Sequence, residues 1–364
     1  MIDAPSRTIR WIDLAHRWVG GFIGLVLVVL GGSGALLAQK HLWVMLPQVH
    51  DAQVQETGAL IAATERMMAI PGARGVVFAG PDFGLNQIGM KGDVTAYASQ
   101  AGVEVTRWSS KWERPEVWLF DLHHYLFSGD VGKTIAGLAG IAGLLFVITG
   151  AILWWRLRSA FELRLWPRRM TRPAILRHHR DLGIVLAPLL AVTLFTGTTM
   201  VFRPVASLLT GPGTEAALEA AFEPPPPSEA KLAAKPDYRG IIETARARYP
   251  DAEIRILSLP RGDTGYISLR VRQPQEWLPN GRTTLWFDAS TSELAHVRDA
   301  LKLSRAAQVY NAHYPVHSGK VGGWAYRLVV TVAGVGLTMM GGLTVWTFWF
   351  RRKTMKPKRA RSAA

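Results

Sequence analysis

Four long apolar stretches punctuate the chain, at residues 18–38, 134–155, 183–202 and 324–350. Each reaches the roughly 20 residues that a helix needs to cross a bilayer, so the pattern predicts four transmembrane helices. The first run leads into Gln39, Lys40 and His41 rather than a small-residue cleavage site, and is expected to stay as an anchor. Between the spans the periodicity changes. Residues 60–68 and 238–249 have helical spacing, the second stopped by Pro250, whereas 253–257, 265–272 and 283–288, with 75–79 and 94–98, read as strands. The expected fold class is a mainly α membrane protein: a four-transmembrane-helix bundle carrying two small α+β domains. A stiff run of four prolines at 224–227 leads into the second domain.

The divisions that follow are the N-terminus and first span (1–40), a first outside domain (41–121), the second span (122–158) and a loop (159–178). The third span (179–203), a second outside domain (204–311), the fourth span (312–352) and a basic tail (353–364) complete the chain.

Composition agrees with a lipid-embedded chain, 49% hydrophobic and 19% charged. Charge sets the orientation. Residues 156–180 carry Arg156, Arg158, Arg164, Arg168, Arg169, Arg172, Arg177 and Arg180 against Glu162 alone, and the tail adds Arg351, Arg352, Lys353, Lys356, Lys358, Arg359 and Arg361. Short basic loops stay cytoplasmic, so both termini are expected inside and the α+β segments in the periplasm of a bacterial inner membrane. A net charge of +15 placed beside membrane spans calls for anionic lipid, not nucleic acid. The chain has no cysteine, no HExxH and no phosphate loop ahead of a helix, which leaves hydrolase, nucleotide and thiolate-metal readings without a motif.

The halves resemble each other. The first span opens His16-Arg17-Trp18-Val19-Gly20 and later has Ser33-Gly34; the third opens His179-Arg180-Asp181-Leu182-Gly183 and later has Thr196-Gly197. Before the second span stands His124-Tyr125 with Ser128-Gly129-Asp130-Val131-Gly132, and before the fourth His313-Tyr314 with Ser318-Gly319-Lys320-Val321-Gly322. An internal duplication with parallel halves implies a pseudo-twofold axis along the membrane normal.

That axis gives the histidines a role. It brings His16 and His179 to equal depth, with Gly20 and Gly183 one turn on, leaving room for a flat macrocycle. Haem iron takes an imidazole from each side, and helix bundles build such sites from facing helices. Adjacent residues point about 100° apart, so one of His178 and His179 faces the axis, and the repeat selects His179. A second pair is expected at the other leaflet. Aligning the glycines matches His123 with His313, aligning the His-Tyr pairs matches His124 instead, and His317 lies nearest the fourth span.

His16-Arg17, Leu122-His123 with Gly129 and Gly132, His179-Arg180, and Pro315-Val316-His317-Ser318-Gly319 together resemble the PepSY-associated transmembrane proteins, and within them the iron-regulated ferric-siderophore reductases. The run from Leu285 to Leu294 is similar to the strand-turn-strand end of a PepSY domain, with Ser292 at the usual turn glycine. The resemblance implies two b-type haems, with His123 and His317 as the outer ligands; His124, His313 and His178 are the substitutes. The implied activity is transmembrane electron transfer from a cytoplasmic reductant or a quinol to a ferric siderophore, with hydroxamate-like oxygen donors, which suit ferric better than ferrous iron. Arg114, Arg203, Arg305 and Lys320, basic and near the outer face, are candidate substrate contacts. Two alternatives are a non-redox PepSY membrane protein regulating a periplasmic partner or peptidase, and a siderophore uptake permease; spans without central Asp, Glu or Lys disfavour ion-coupled transport.

Overall fold

The structure is a computed structural model that describes residues 6–262 and 264–350. The basic tail, from Arg351 onward, lies outside the described residues. Four long helices form the bundle: α1 (Arg7–Ala38), α5 (Gly129–Trp155), α6 (Arg172–Val201) and α11 (Gly323–Trp349). All four are long and apolar enough to span a membrane. Hydropathy located their lipid-facing parts and missed the polar first turns of α1 and α6, where Ser6 caps α1 by accepting from Ile9 N and arginines continue each helix.

Helix α1 packs against α11 and α5, and α6 packs against the same two, so α1 and α6 stand diagonally across the bundle. Helices α1 and α11 meet backbone to backbone at Gly31 and Gly334. A Cβ on either would stand 2.9 Å or 2.8 Å from the other glycine's carbonyl oxygen. Without an apolar driving force between helices in lipid, such close backbone packing supplies the association.

The short helices are α2 (Lys40–Trp43), α3 (Thr57–Met68), α4 (Pro115–Tyr125), α7 (Ser207–Thr210), α8 (Thr214–Phe222), α9 (Tyr238–Arg248) and α10 (Arg305–His317). Strands β1 (Ala73–Val77), β2 (Asn86–Met90), β3 (Thr95–Ala98) and β4 (Glu104–Trp108) follow α3; β5 (Glu253–Ser258), β6 (Tyr266–Arg272), β7 (Thr283–Asp288) and β8 (Leu294–Arg298) follow α9. The two α+β segments share one antiparallel eight-stranded sheet, ordered β4-β3-β2-β1-β5-β6-β7-β8. Its halves join at β1 and β5, where Gly75, Val76 and Val77 face Ser258, Leu257 and Ile256. One core lies under α3 and α9, built from Met67, Ile88, Ile241, Leu257, Leu269 and Phe287.

The β7–β8 turn closes although serine stands at its tightest position. Ser292 takes the left-handed φ of 63°, and its hydroxyl accepts from Asp237 N at 3.0 Å. Asp288 Oδ1 braces the same turn by accepting from Ser290 N and Thr291 N.

The sheet lies at the end of the bundle where α1 and α6 finish and α5 and α11 begin. Arg327 of α11 fastens it there, donating to Asp82 at 2.5 Å and to the His41 ring at 3.2 Å.

Candidate functional site

Two imidazole pairs lie in the bundle. At the end remote from the sheet, the His16 and His179 ring centres are 6.3 Å apart with planes at 74°. At the sheet end, His123 and His317 are 6.1 Å apart with planes at 46°. Two imidazoles on one iron, with metal–nitrogen bonds of about 2.0 Å and roughly 1.2 Å from nitrogen to ring centre, stand about 6.4 Å apart. A directly hydrogen-bonded pair would close to about 5.2 Å. The observed separations match the first arrangement.

Each pair is oriented through its Nδ1 atoms. Thr149 Oγ1 lies 2.8 Å from His16 Nδ1, and Ser33 Oγ lies 2.9 Å from His123 Nδ1. His317 Nδ1 donates to Thr193 O at 2.9 Å, with Thr196 Oγ1 at 3.4 Å. Fixing one ring nitrogen in this way commits the other to a ligand. His179 Nδ1 is the exception, buried without a partner among the described residues. Thr344, which matches Thr149 when Trp154-Trp155 is laid on Trp349-Phe350, lines the same cavity but donates to Met340 O.

A cavity of about 450 Å³ surrounds the first pair, lined by His16, His179, Gly20, Gly183, Phe146 and Met340 among others. That size is in the range of cofactor sites. His178 does not line it; fully buried, its Nδ1 donates to Arg164 O at 2.9 Å. Beside it, Asp181 binds both Arg164 and Arg180, anchoring the basic loop under the cavity.

The second pair is cradled by the other ends of the same diagonal helices. A Cβ on Gly34 would fall 2.9 Å from His123 Cε1, and one on Gly197 2.8 Å from His317 Cε1. Gly34 follows His16 by 18 residues and Gly197 follows His179 by 18, so each helix separates the pairs by about 27 Å. The outer imidazoles sit on α4 and α10, not on the spanning helices themselves. After α4 the chain reverses through Leu126 and Phe127 at positive φ and Gly129 at 55°. Gly132 permits the turn, since a Cβ there would lie 1.6 Å from Tyr125 O.

Neither substitute histidine joins the outer pair. His124 stacks on Phe120 at 3.9 Å and its Nδ1 donates to Phe120 O. His313 is buried with Nδ1 bonded to Thr199 Oγ1 at 2.9 Å.

Among the described residues no three His, Cys, Asp or Glu side chains gather into a metal site. A lone zinc takes four protein ligands or three and water, whereas a haem brings four nitrogens and asks two imidazoles of the protein. At the first site the paired donors and the cavity fit a haem; at the second the paired donors fit one, and Gly34 and Gly197 make room for the imidazoles.

The basic candidates do not form one cluster. Arg114 pairs with Glu116 at 2.9 Å, and Lys320 donates to Tyr314 Oη at 3.1 Å; both charges act on Lys40, whose ammonium lies 4.2 Å from the Phe83 ring. Arg203 is exposed near Phe222, elsewhere on the α+β body, and Arg305 is exposed. Sequence reasoning missed Thr149, and gave Ser33 and Thr196 no role. Their signal was a hydroxyl residue directly before a glycine within a span: Ser33-Gly34, Thr149-Gly150 and Thr196-Gly197.

Four apolar helices capped by an antiparallel sheet define an integral membrane protein of the helix-bundle class. The sequence matches the family described as the PepSY-associated TM region over residues 14–352, and the chain belongs to that family. No curated protein matches it.

Proposed function

We propose that the protein is a di-haem membrane oxidoreductase that carries single electrons across the bilayer to a ferric siderophore. Each ferric ion takes one electron, drawn from a quinol or a cytoplasmic reductant, and leaves its hard oxygen donors as ferrous iron. The observation that carries the reading is the two imidazole pairs, 6.3 Å and 6.1 Å between centres, at opposite ends of one bundle. A b-type haem bound at each pair supplies reversible one-electron transfer. The chain's own part is to hold His16, His123 and His317 at fixed depth, through Thr149, Ser33 and Thr193, with His179 placed by its helix, and to keep water from the apolar interior between the pairs.

The element order, which runs twice through helix, α+β unit and helix, is read as an internal duplication. The eight arginines of residues 156–180 favour a cytoplasmic position for that loop, with the sheet in the periplasm of the inner membrane.

A pyridine haemochrome assay on the purified chain tests the proposal. Two b-type haems per chain are expected, one lost in His16→Ala and the other in His123→Ala. Protein without reducible Soret and α bands refutes it.

A further inference from the structure

The side chains of β6 and β7 alternate between two environments. Ile267, Leu269, Val271, Leu285 and Phe287 join the core under α9, so Ser268, Arg270, Thr284 and Trp286 occupy the opposite face. There Arg270 is paired across the strands with Thr284, and Arg282 stands just ahead of β7. Two further elements close over them. Phe222, the last residue of α8, has the Arg282 guanidinium 4.9 Å from its ring centre and that of Arg203 at 5.9 Å; Tyr310 of α10 is 6.0 Å from the same ring.

Three guanidiniums thus converge without an ion pair; Glu276 is the acid whose charge reaches Arg270 and Arg282. Burial, then the charge of Arg270, pushes Arg282 down to about 10, with Arg203 adding to the effect, and it stays charged at neutral pH. Burial also lowers Arg270. Among the described residues the side chains of Arg203, Arg270 and Arg282 make no ion pair, and Arg282 Nε is buried without a partner. Glu276 uses its carboxylate on Gln273 N, Arg282 N and Thr283 Oγ1. Other buried guanidiniums have an acid in reach: Arg164 pairs with Asp181, Arg327 with Asp82 and Arg255 with Glu253 at 3.8 Å. Holding Arg270 and Arg282 unpaired where burial acts on both, with Arg203 at the exposed edge, is costly unless an anion completes the site.

We propose that Arg203, Arg270 and Arg282 are the docking site for the carboxylates of a net-anionic ferric chelate. This rests on the reductase reading and narrows its substrate class, from chelates in general to carboxylate-bearing ones. Guanidinium forks suit carboxylates, which accept paired hydrogen bonds, better than the neutral oxygens of a trihydroxamate. The site also has a route inward: Tyr310, beside Phe222, and His317 lie seven residues apart on one face of α10, about 10 Å along its axis.

The test is binding of ferric citrate to the full chain in nanodiscs of zwitterionic lipid, followed by calorimetry. Wild type is expected to bind it, with Arg203→Gln and Arg270→Gln each weakening the Kd by about tenfold or more. A neutral ferric trihydroxamate should bind more weakly and be indifferent to both changes. Arg203 is exposed, so its variant tests the site even where Arg270→Gln misfolds. Unchanged Kd in Arg203→Gln overturns the proposal. Inorganic phosphate competing as well as citrate assigns the site to free oxyanions and overturns the chelate. Loss of binding in anionic-lipid nanodiscs assigns it to a lipid headgroup, with the same result. Absent haem bands sink the reductase reading and leave this measurement standing; a haem-loaded chain that ignores ferric citrate sinks only the docking site.

Discussion

Gly34→Ala sets a methyl group against the outer imidazole pair. The new Cβ falls 2.9 Å from His123 Cε1, where unstrained carbon contacts lie at about 3.5–4.0 Å, so the ring must withdraw by about 0.6–1.1 Å. The Ser33 hydroxyl, 2.9 Å from His123 Nδ1, resists that movement because it is fixed to the same turn of α1. Metal–ligand distances tolerate only about 0.2 Å, so the shift is several times what axial coordination accepts. The expected result is a chain that keeps the inner haem and loses bis-histidine ligation at the outer one, seen as the low-spin signals of one site vanishing from absorption and electron paramagnetic resonance spectra. Gly197→Ala should do the same from the other side, its Cβ falling 2.8 Å from His317 Cε1. Gly150→Ala is the control: its Cβ meets His16 Cε1 at an ordinary 3.6 Å, and both sites should persist. Two intact low-spin haems in Gly34→Ala would refute the cradle, as would loss of the inner one.

Gly132→Ala should be harsher on stability, because its Cβ would enter the Tyr125 carbonyl oxygen at 1.6 Å and the α4–α5 turn must open. A loss of about 3 kcal/mol is expected, read as a fall in the thermal midpoint in detergent; an unchanged midpoint contradicts the packing. A third prediction concerns pH. Burial pushes the Lys40 ammonium, ordinarily at 10.5, down to about 8, so between these values the unfolded chain holds a proton that the native chain has released. Stability should rise with pH across that window, and Lys40→Met should flatten the rise in a pH series of denaturation curves.

Much of this was legible in the chain. The spans announced themselves because a bilayer demands about 20 apolar residues in a row. The inner pair was legible because the repeat sets His16 and His179 at matching places before matching glycines. The outer pair, His123 and His317, was named by the family resemblance and not by the repeat. His123 and His124 are neighbours, as His313 and His317 are one turn apart, and neither alignment of the halves joins His123 to His317. What separates them is contact with Ser33-Gly34 and Thr196-Gly197, residues 90 and 121 positions away from their partners. The same holds for the arginine site: Arg203 stood out as a surface charge, whereas Arg270 and Arg282 looked like ordinary strand and turn residues.

The sequence by itself determined which segments enter lipid and which way the basic loops bias them, and it carries the similarity between the halves that is read as a duplication. These depend on local composition and period, which each segment carries alone. Only the tertiary structure decided that the two α+β segments close into one sheet through β1 and β5, that the outer histidines ride on α4 and α10, and that three arginines meet without an ion pair. Strand pairing and side-chain convergence are relations between distant segments, and their free energy is gained only when those segments pack.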